Sequence, residues 1–267
     1  MTAGSSGIGK AAATQLAKDG ATVVITGRDP QRTKAVADQI GGIGYVSDFE
    51  KLDDVRGLAD KLLAAYHRID VLANSAGSMY KVSELTADGF ERTLQANYLA
   101  PFLLTRLLLP RLAESQGRVI STSSNANVQG RVHLDDLNFT RQRWNSGLGA
   151  YGTSKLMNNL FTKELAGKST VPAFAVHPGF VRTGLAPDWW LLRIIKAVAL
   201  GRYGVVPEEG AKPLIRLADL DTLSEPSGTY FDKIKPNGKE GRQATDLQLA
   251  RDLWNHTSAL VGLLASH

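Results

Sequence analysis

The feature that most narrows the fold is an alternation of short β-branched runs with longer helical patterns. Ala21–Gly27 (ATVVITG) reads as a buried parallel strand, and Gly44–Ser47, Ile69–Ala73, Arg118–Ser123 and Val171–Val176 read as further strands. Helical stretches lie between them. One starts at Asp29-Pro30, a cap followed by a first-turn proline, and ends near Gly41. Others run Lys51–Tyr66, Glu91–Leu112 and Ala150–Ala166. Strands and helices in this rhythm imply βαβ units: an α/β chain with a doubly wound parallel sheet and helices on both faces. No repeat or long linker interrupts residues 1–267, so the chain reads as one domain, long enough to bury a large core.

Composition removes several functions. With no cysteine there is no disulfide and no thiolate metal site, and no metal is expected. The net charge of +5 is scattered among acidic residues, which reads as a solvated surface rather than a nucleic-acid stripe. Met1–Lys10 has no apolar core of a signal peptide. No run approaches the ~20 apolar residues of a membrane span; the nearest, Trp189–Leu200, is broken by Arg193 and Lys196. The expected location is cytoplasmic.

Three motifs carry chemistry. Thr2-Ala3-Gly4-Ser5-Ser6-Gly7-Ile8-Gly9 opens a helical run, Lys10 to Asp19, closed by Gly20. Glycines there let backbone N–H groups approach a phosphate; the alternative is a flexible tail entering a helix. The strand ending in Gly27-Arg28-Asp29 faces an adenosine ribose in a dinucleotide fold, where an arginine accommodates a 2′-phosphate. That favours NADP(H) over NAD(H), with Lys10 as a second cation; alternatively Arg28 is a surface cation and Asp29 a helix cap. Of seven tyrosines only Tyr151 has a lysine four residues on, Lys155. On a helix the two share a face, and the ammonium lowers a hydroxyl pKa that is otherwise about 10, making an acid/base. A chance pair on a solvated face is the bland alternative.

Taken in order, these motifs resemble the short-chain dehydrogenases/reductases, in their retinol-dehydrogenase-like branch. The glycine loop is similar to T-G-x-x-x-G-x-G. Asn74-Ser75-Ala76-Gly77 is similar to N-N-A-G, with Ser75 for the second Asn. Asn97, Ser123-Ser124, Tyr151/Lys155 and His177-Pro178-Gly179 with Thr183 complete the set. The branch rests on Asp135-Asp136-Leu137 in a long stretch before Tyr151, and on Ala150–Leu165, which resembles A-Y-x-x-S-K-L-x-N-x-L-F-x-x-E-L.

The resemblance implies one NAD(P)-binding Rossmann domain and the interconversion of a carbonyl and an alcohol. Tyr151 would transfer the proton. Lys155 would depress its pKa and bind the nicotinamide ribose. Ser124 would polarise the carbonyl, and Asn97 would place a relay water. Cofactor contacts are implied for Gly4, Ser6, Gly7, Ile8 and Gly9, for Arg28, Asp48, Asn74, Ala76 and Gly77, and for Pro178, Gly179, Val181 and Thr183, besides Tyr151 and Lys155. Asp48 and Asn74 could equally be caps, and Thr183 a loop hydroxyl; His177 reads as structural. A homo-oligomer is implied. The competing class is a non-catalytic dinucleotide-binding or scaffold protein on the same fold.

Two departures stand out. Ala3 occupies the place of the family's first glycine, where a positive φ would strain it. Only Met1 precedes Thr2, where the family has a whole strand. The expectation is a sheet without its middle strand, from a start codon assigned too far downstream or a shortened chain, with stability and cofactor binding weakened. Finally, residues 184–204 hold Trp189 and Trp190 among aliphatics. They read as a lid presenting an apolar wall to a lipophilic substrate; core, dimer contact and membrane-surface helix are the alternatives.

Overall fold

The computed structural model describes residues 1–142, 144–181, 204–219 and 224–263. Elements follow in chain order as α1 (Gly7–Lys18), β1 (Val24–Gly27), α2 (Pro30–Ile40), β2 (Ile43–Val46), α3 (Leu52–Ala65), β3 (Val71–Asn74) and α4 (Arg92–Leu94). A π-helical turn, Gln95–Leu99, leads into α5 (Ala100–Glu114). Then come β4 (Arg118–Thr122), α6 (Leu148–Lys168), β5 (Ala173–His177), α7 (Pro207–Ala218), β6 (Tyr230–Asp232), β7 (Lys235–Pro236) and α8 (Leu247–Leu260). The α/β reading holds. Strands β3, β4, β5 and β6 pair in parallel in that order, with β7 antiparallel at the edge.

Period-two alternation builds the two layers. Leu72, Val119 and Ala173 point into the core shared with α3, α5, α6 and α8. Their neighbours Ala73, Ile120 and Phe174 point the other way, against α1 and α7. Asp29 caps α2 by accepting from Arg32 N–H at 2.8 Å, and Gly41 ends it at φ 64°, as the cap-and-glycine signals predict. The predicted helix Glu91–Leu112 is instead three pieces. Glu91 is its cap, accepting from the N–H groups of Thr93 and Leu94 at 2.8 Å each.

The sheet divides where the central strand was expected to be lacking. β1 pairs only with β2, as a separate two-stranded sheet. Met1 and Thr2 alone join it to β3: Thr26 N–H donates to Met1 O at 3.0 Å, and Thr2 N–H donates to Ala73 O at 2.9 Å. Below this bridge lies a cavity of about 410 Å³ lined by Val24, Leu62, Tyr66, Val71, Leu104 and Leu108, among others. The Met1 ammonium is buried there against Val24 O, and burial pushes its pKa down to about 6. The ladder of β1 starts at Val24, in register with Ile43, rather than at Ala21.

Candidate active site

The glycine loop wraps the start of α1. Ala3 adopts φ 49°, so the strained backbone expected at this position is present, and Gly7 adopts φ 53°. A Cβ on Gly9 would stand 2.5 Å from Ala3 O, and one on Gly4 would stand 2.6 Å from the Ile25 side chain. Ser6 is extended, and its side chain caps nothing, which leaves first-turn N–H groups of Gly7 and Ile8 to an anion. Thr2 ties this loop to the next strand end, its hydroxyl accepting from Ser75 and Ala76 N–H at 2.8 and 2.9 Å. Asn74 donates to Thr105 Oγ1 at 2.9 Å, while its buried Oδ1 finds no partner among the described residues. Close-packed glycines, an uncapped helix N-terminus and an orphaned amide oxygen together fit a bound dinucleotide.

Arg28 follows β1 and is largely exposed. It donates to Glu50 Oε1 at 2.8 Å. Glu50 also accepts from Arg92 Nε at 2.8 Å and from the Tyr80 hydroxyl at 2.5 Å, and the Arg92 guanidinium lies 4.1 Å from the Tyr80 ring centre. Burial works to raise the Glu50 carboxyl, but the Arg92 and Tyr80 hydrogen bonds and the two arginine charges outweigh it and hold it below the usual range. Asp48 sits at the turn, its carboxylate accepting from Glu50 N–H at 3.1 Å. Sequence reasoning missed Glu50, Tyr80 and Arg92; no motif joins positions so far apart, and only the fold brings them together.

The four catalytic candidates converge at the ends of β4 and α6. Ser124 follows β4 and caps a 3-10 turn, Asn125–Gln129, its Oγ accepting from Ala126 N–H at 3.2 Å. The Tyr151 hydroxyl lies beside the Ser124 side chain. Lys155, one turn further along α6, is buried and donates to Thr122 O at 3.0 Å, its Nζ 5.4 Å from the Tyr151 ring centre. Asn97 lies in the π turn, fully buried. It accepts from Ser78 N–H at 2.7 Å and donates to Ser78 O and Ser154 Oγ at 2.9 and 3.1 Å. Gly77 fits between the two: a Cβ there would lie 3.2 Å from Lys155 Nζ and 3.4 Å from Asn97 Oδ1.

The electrostatics differ from the expectation in one respect. Burial pushes the Tyr151 hydroxyl up to about 12, with the neighbouring Ser124 side chain acting the other way, whereas a depressed value was expected. The physical reason is desolvation. Lys155 is itself pushed down by burial, to about 8, and its ammonium is committed to Thr122 O.

After β5, Pro178 and Gly179 turn the chain, Gly179 at φ 88° beside Lys233. Val181 forms a parallel bridge with Val205. Thr183 and residues 184–203, with Trp189 and Trp190, lie outside the described residues. His177 pairs in register with Asp232, and its buried Nδ1 has no partner among the described residues. Among those residues no helix is long and apolar enough to cross a membrane.

A family model described as short chain dehydrogenase matches residues 1–136. Human retinol dehydrogenase 13 is 36% identical over 292 residues, covering 99% of this chain and 84% of its own. The chain belongs to the short-chain dehydrogenase/reductase family, in its retinol-dehydrogenase-like branch. A Streptomyces sp. (strain C5) protein provisionally named daunorubicin C-13 ketoreductase DnrU is 39% identical over 269 residues, covering 98% of this chain and 91% of its own. Among solved structures, a Burkholderia cenocepacia J2315 short chain dehydrogenase in complex with NADP superposes with a TM-score of 0.68. It is 28% identical, over 86% of this chain and 93% of that one. An uncharacterized Mycobacterium paratuberculosis protein superposes with a TM-score of 0.78 at 34% identity, over 98% of this chain and 92% of that one. This family is one of oxidoreductases, and its parallel-sheet fold is the one found here.

Proposed function

We propose that this protein is an NADP(H)-dependent carbonyl reductase acting on a lipophilic aldehyde or ketone. The observation that carries the reading is the Tyr151 hydroxyl, set beside the Ser124 side chain, kept protonated by burial and one helical turn from the Lys155 ammonium. A bound nicotinamide dinucleotide supplies the hydride. Ser124 holds and polarises the carbonyl oxygen. Tyr151 gives that oxygen its proton, and Lys155 stabilises the phenolate left behind. With its pKa near 12 the hydroxyl is protonated at neutral pH, the form that can give a proton to the carbonyl oxygen. Arg28 at the end of β1 supports NADP(H), as does the NADP held by the Burkholderia relative. The names of the retinol and daunorubicin relatives support a lipophilic substrate.

The test is NADPH consumption over a panel of lipophilic aldehydes and ketones, with Tyr151→Phe as the control. Wild type should turn over at least one carbonyl, and the variant should lose about 10²-fold or more in turnover while still binding NADPH. Equal turnover in the two proteins would remove Tyr151 from the mechanism.

A further inference from the structure

Ser124 is held from behind by a set of buried polar contacts. Its carbonyl oxygen accepts both the backbone N–H and the side-chain amide of Asn127, at 2.9 and 2.8 Å. Asn127 is fully buried, and every polar atom of its side chain is used. Its Nδ2 also reaches the Tyr230 hydroxyl at 3.3 Å, and its Oδ1 accepts Gly241 N–H at 2.8 Å. Tyr230, on β6 and 1% exposed, in turn donates to Asn125 Oδ1 at 2.9 Å. The 3-10 turn after Ser124 is thus bolted to β6 and to the 241 loop.

On its other side the same turn meets α6 backbone to backbone. A Cβ on Gly152 would stand 2.8 Å from Ala126 O, and one on Gly130 would stand 2.5 Å from Gly152 O. Gly152 directly follows Tyr151. Thr153 closes the exit of the turn, donating to Arg131 O and accepting Arg131 N–H at 3.1 Å each. The turn is therefore a wedge whose one face meets the helix carrying the tyrosine and whose other face rests on Asn127 and Tyr230. Among the described residues neither side chain hydrogen-bonds the Ser124 or Tyr151 hydroxyl; they hold the backbone that carries Ser124.

We infer that Asn127 and Tyr230 are positioning residues that set the Ser124 hydroxyl against Tyr151 and so control turnover without holding the cofactor. The inference rests on the reading of Ser124 and Tyr151 as the pair that engages the carbonyl. Misplacing a catalytic hydroxyl by a fraction of an ångström is costly, because the reacting atoms must meet within a narrow geometry.

A double-mutant cycle tests this with the full-length protein, NADPH and a carbonyl that wild type reduces. Tyr230→Phe removes one oxygen and keeps the ring. It should lower kcat about tenfold, with NADPH affinity from fluorescence titration unchanged within about twofold and Tm from calorimetry little changed. Placed on Ser124→Ala it should cause no further loss, since it acts through Ser124. Asn127→Ala should lose more; should it not fold, Tyr230→Phe carries the test. Should Ser124→Ala have no measurable turnover, the single variant decides: a fall in kcat at unchanged Tm supports positioning, and a fall that tracks Tm overturns it. Wild-type kcat in Tyr230→Phe, or losses that multiply in the Ser124→Ala background, also overturn it. Those outcomes in an active wild type defeat this inference alone, whereas a wild type that reduces no carbonyl defeats the enzymatic reading beneath it.

Discussion

The Arg28 guanidinium donates to Glu50 Oε1 at 2.8 Å, so the cation at the end of β1 is placed by a carboxylate that Arg92 and Tyr80 also claim. Two arginines share this carboxylate, so Arg28 keeps donors free for a second anion. Arg28→Ala should therefore weaken NADPH binding about tenfold or more, the worth of a charge-assisted hydrogen bond, and leave NADH binding nearly as it was. Titration of both cofactors checks this; equal losses would sink the assignment of Arg28 to the 2′-phosphate.

On the proposed mechanism Lys155 should set the pH dependence. Its pKa is pushed down by burial to about 8. If reduction needs the ammonium, kcat should hold up to that pH and fall as pH rises through about 8. The Tyr151 limb near 12 lies beyond the working range. Lys155→Arg keeps a cation that does not titrate, so its residual activity should lack the alkaline fall. A fall at the same pH in that variant would assign the limb to another group. For stability the sign is opposite: between about 8 and 10.5 the unfolded chain holds a proton that the folded chain has released, so this group's contribution rises with pH across that window.

Gly77 separates cofactor-site packing from catalysis. A Cβ there would press on the flexible end of Lys155, 3.2 Å away, and on Asn97 Oδ1. Gly77→Ala should shift Tm by no more than about 2–4 °C, because a side-chain tip can yield, yet lower kcat/KM severalfold by displacing the ammonium. Unchanged kcat/KM would show that the Lys155 position tolerates the methyl group.

The cavity beside Met1 predicts a gain from added chain. A five- or six-residue β-branched segment fused ahead of Met1 would replace the buried amino group by an amide and pair with the edges of β1 and β3. Tm should rise by about 4 °C or more, and NADPH affinity should rise with it. A scrambled, proline-rich segment of equal length is the control; the same Tm for both would mean that no strand enters the cavity.

Local patterns determined much of this protein. The β-branched runs, the Asp29-Pro30 cap with Gly41, the glycine loop and the Tyr151–Lys155 spacing were all legible, because each depends on neighbours a few residues apart. Strands β6 and β7, three and two residues long, carry too little periodicity to be seen; β6 exists because β5 offers an edge to pair with, and β7 because β6 does. The π turn that holds Asn97 was likewise read as plain helix. Tertiary structure alone decided which distant groups share a charge or a hydrogen bond: Glu50 with Arg28, Arg92 and Tyr80, and Asn127 with Tyr230 and Gly241. It also decided the Tyr151 pKa. Spacing puts a lysine beside a tyrosine and suggests a lowered value, but desolvation depends on what the rest of the chain packs around the hydroxyl, and here burial outweighs the lowering effect of the Ser124 side chain.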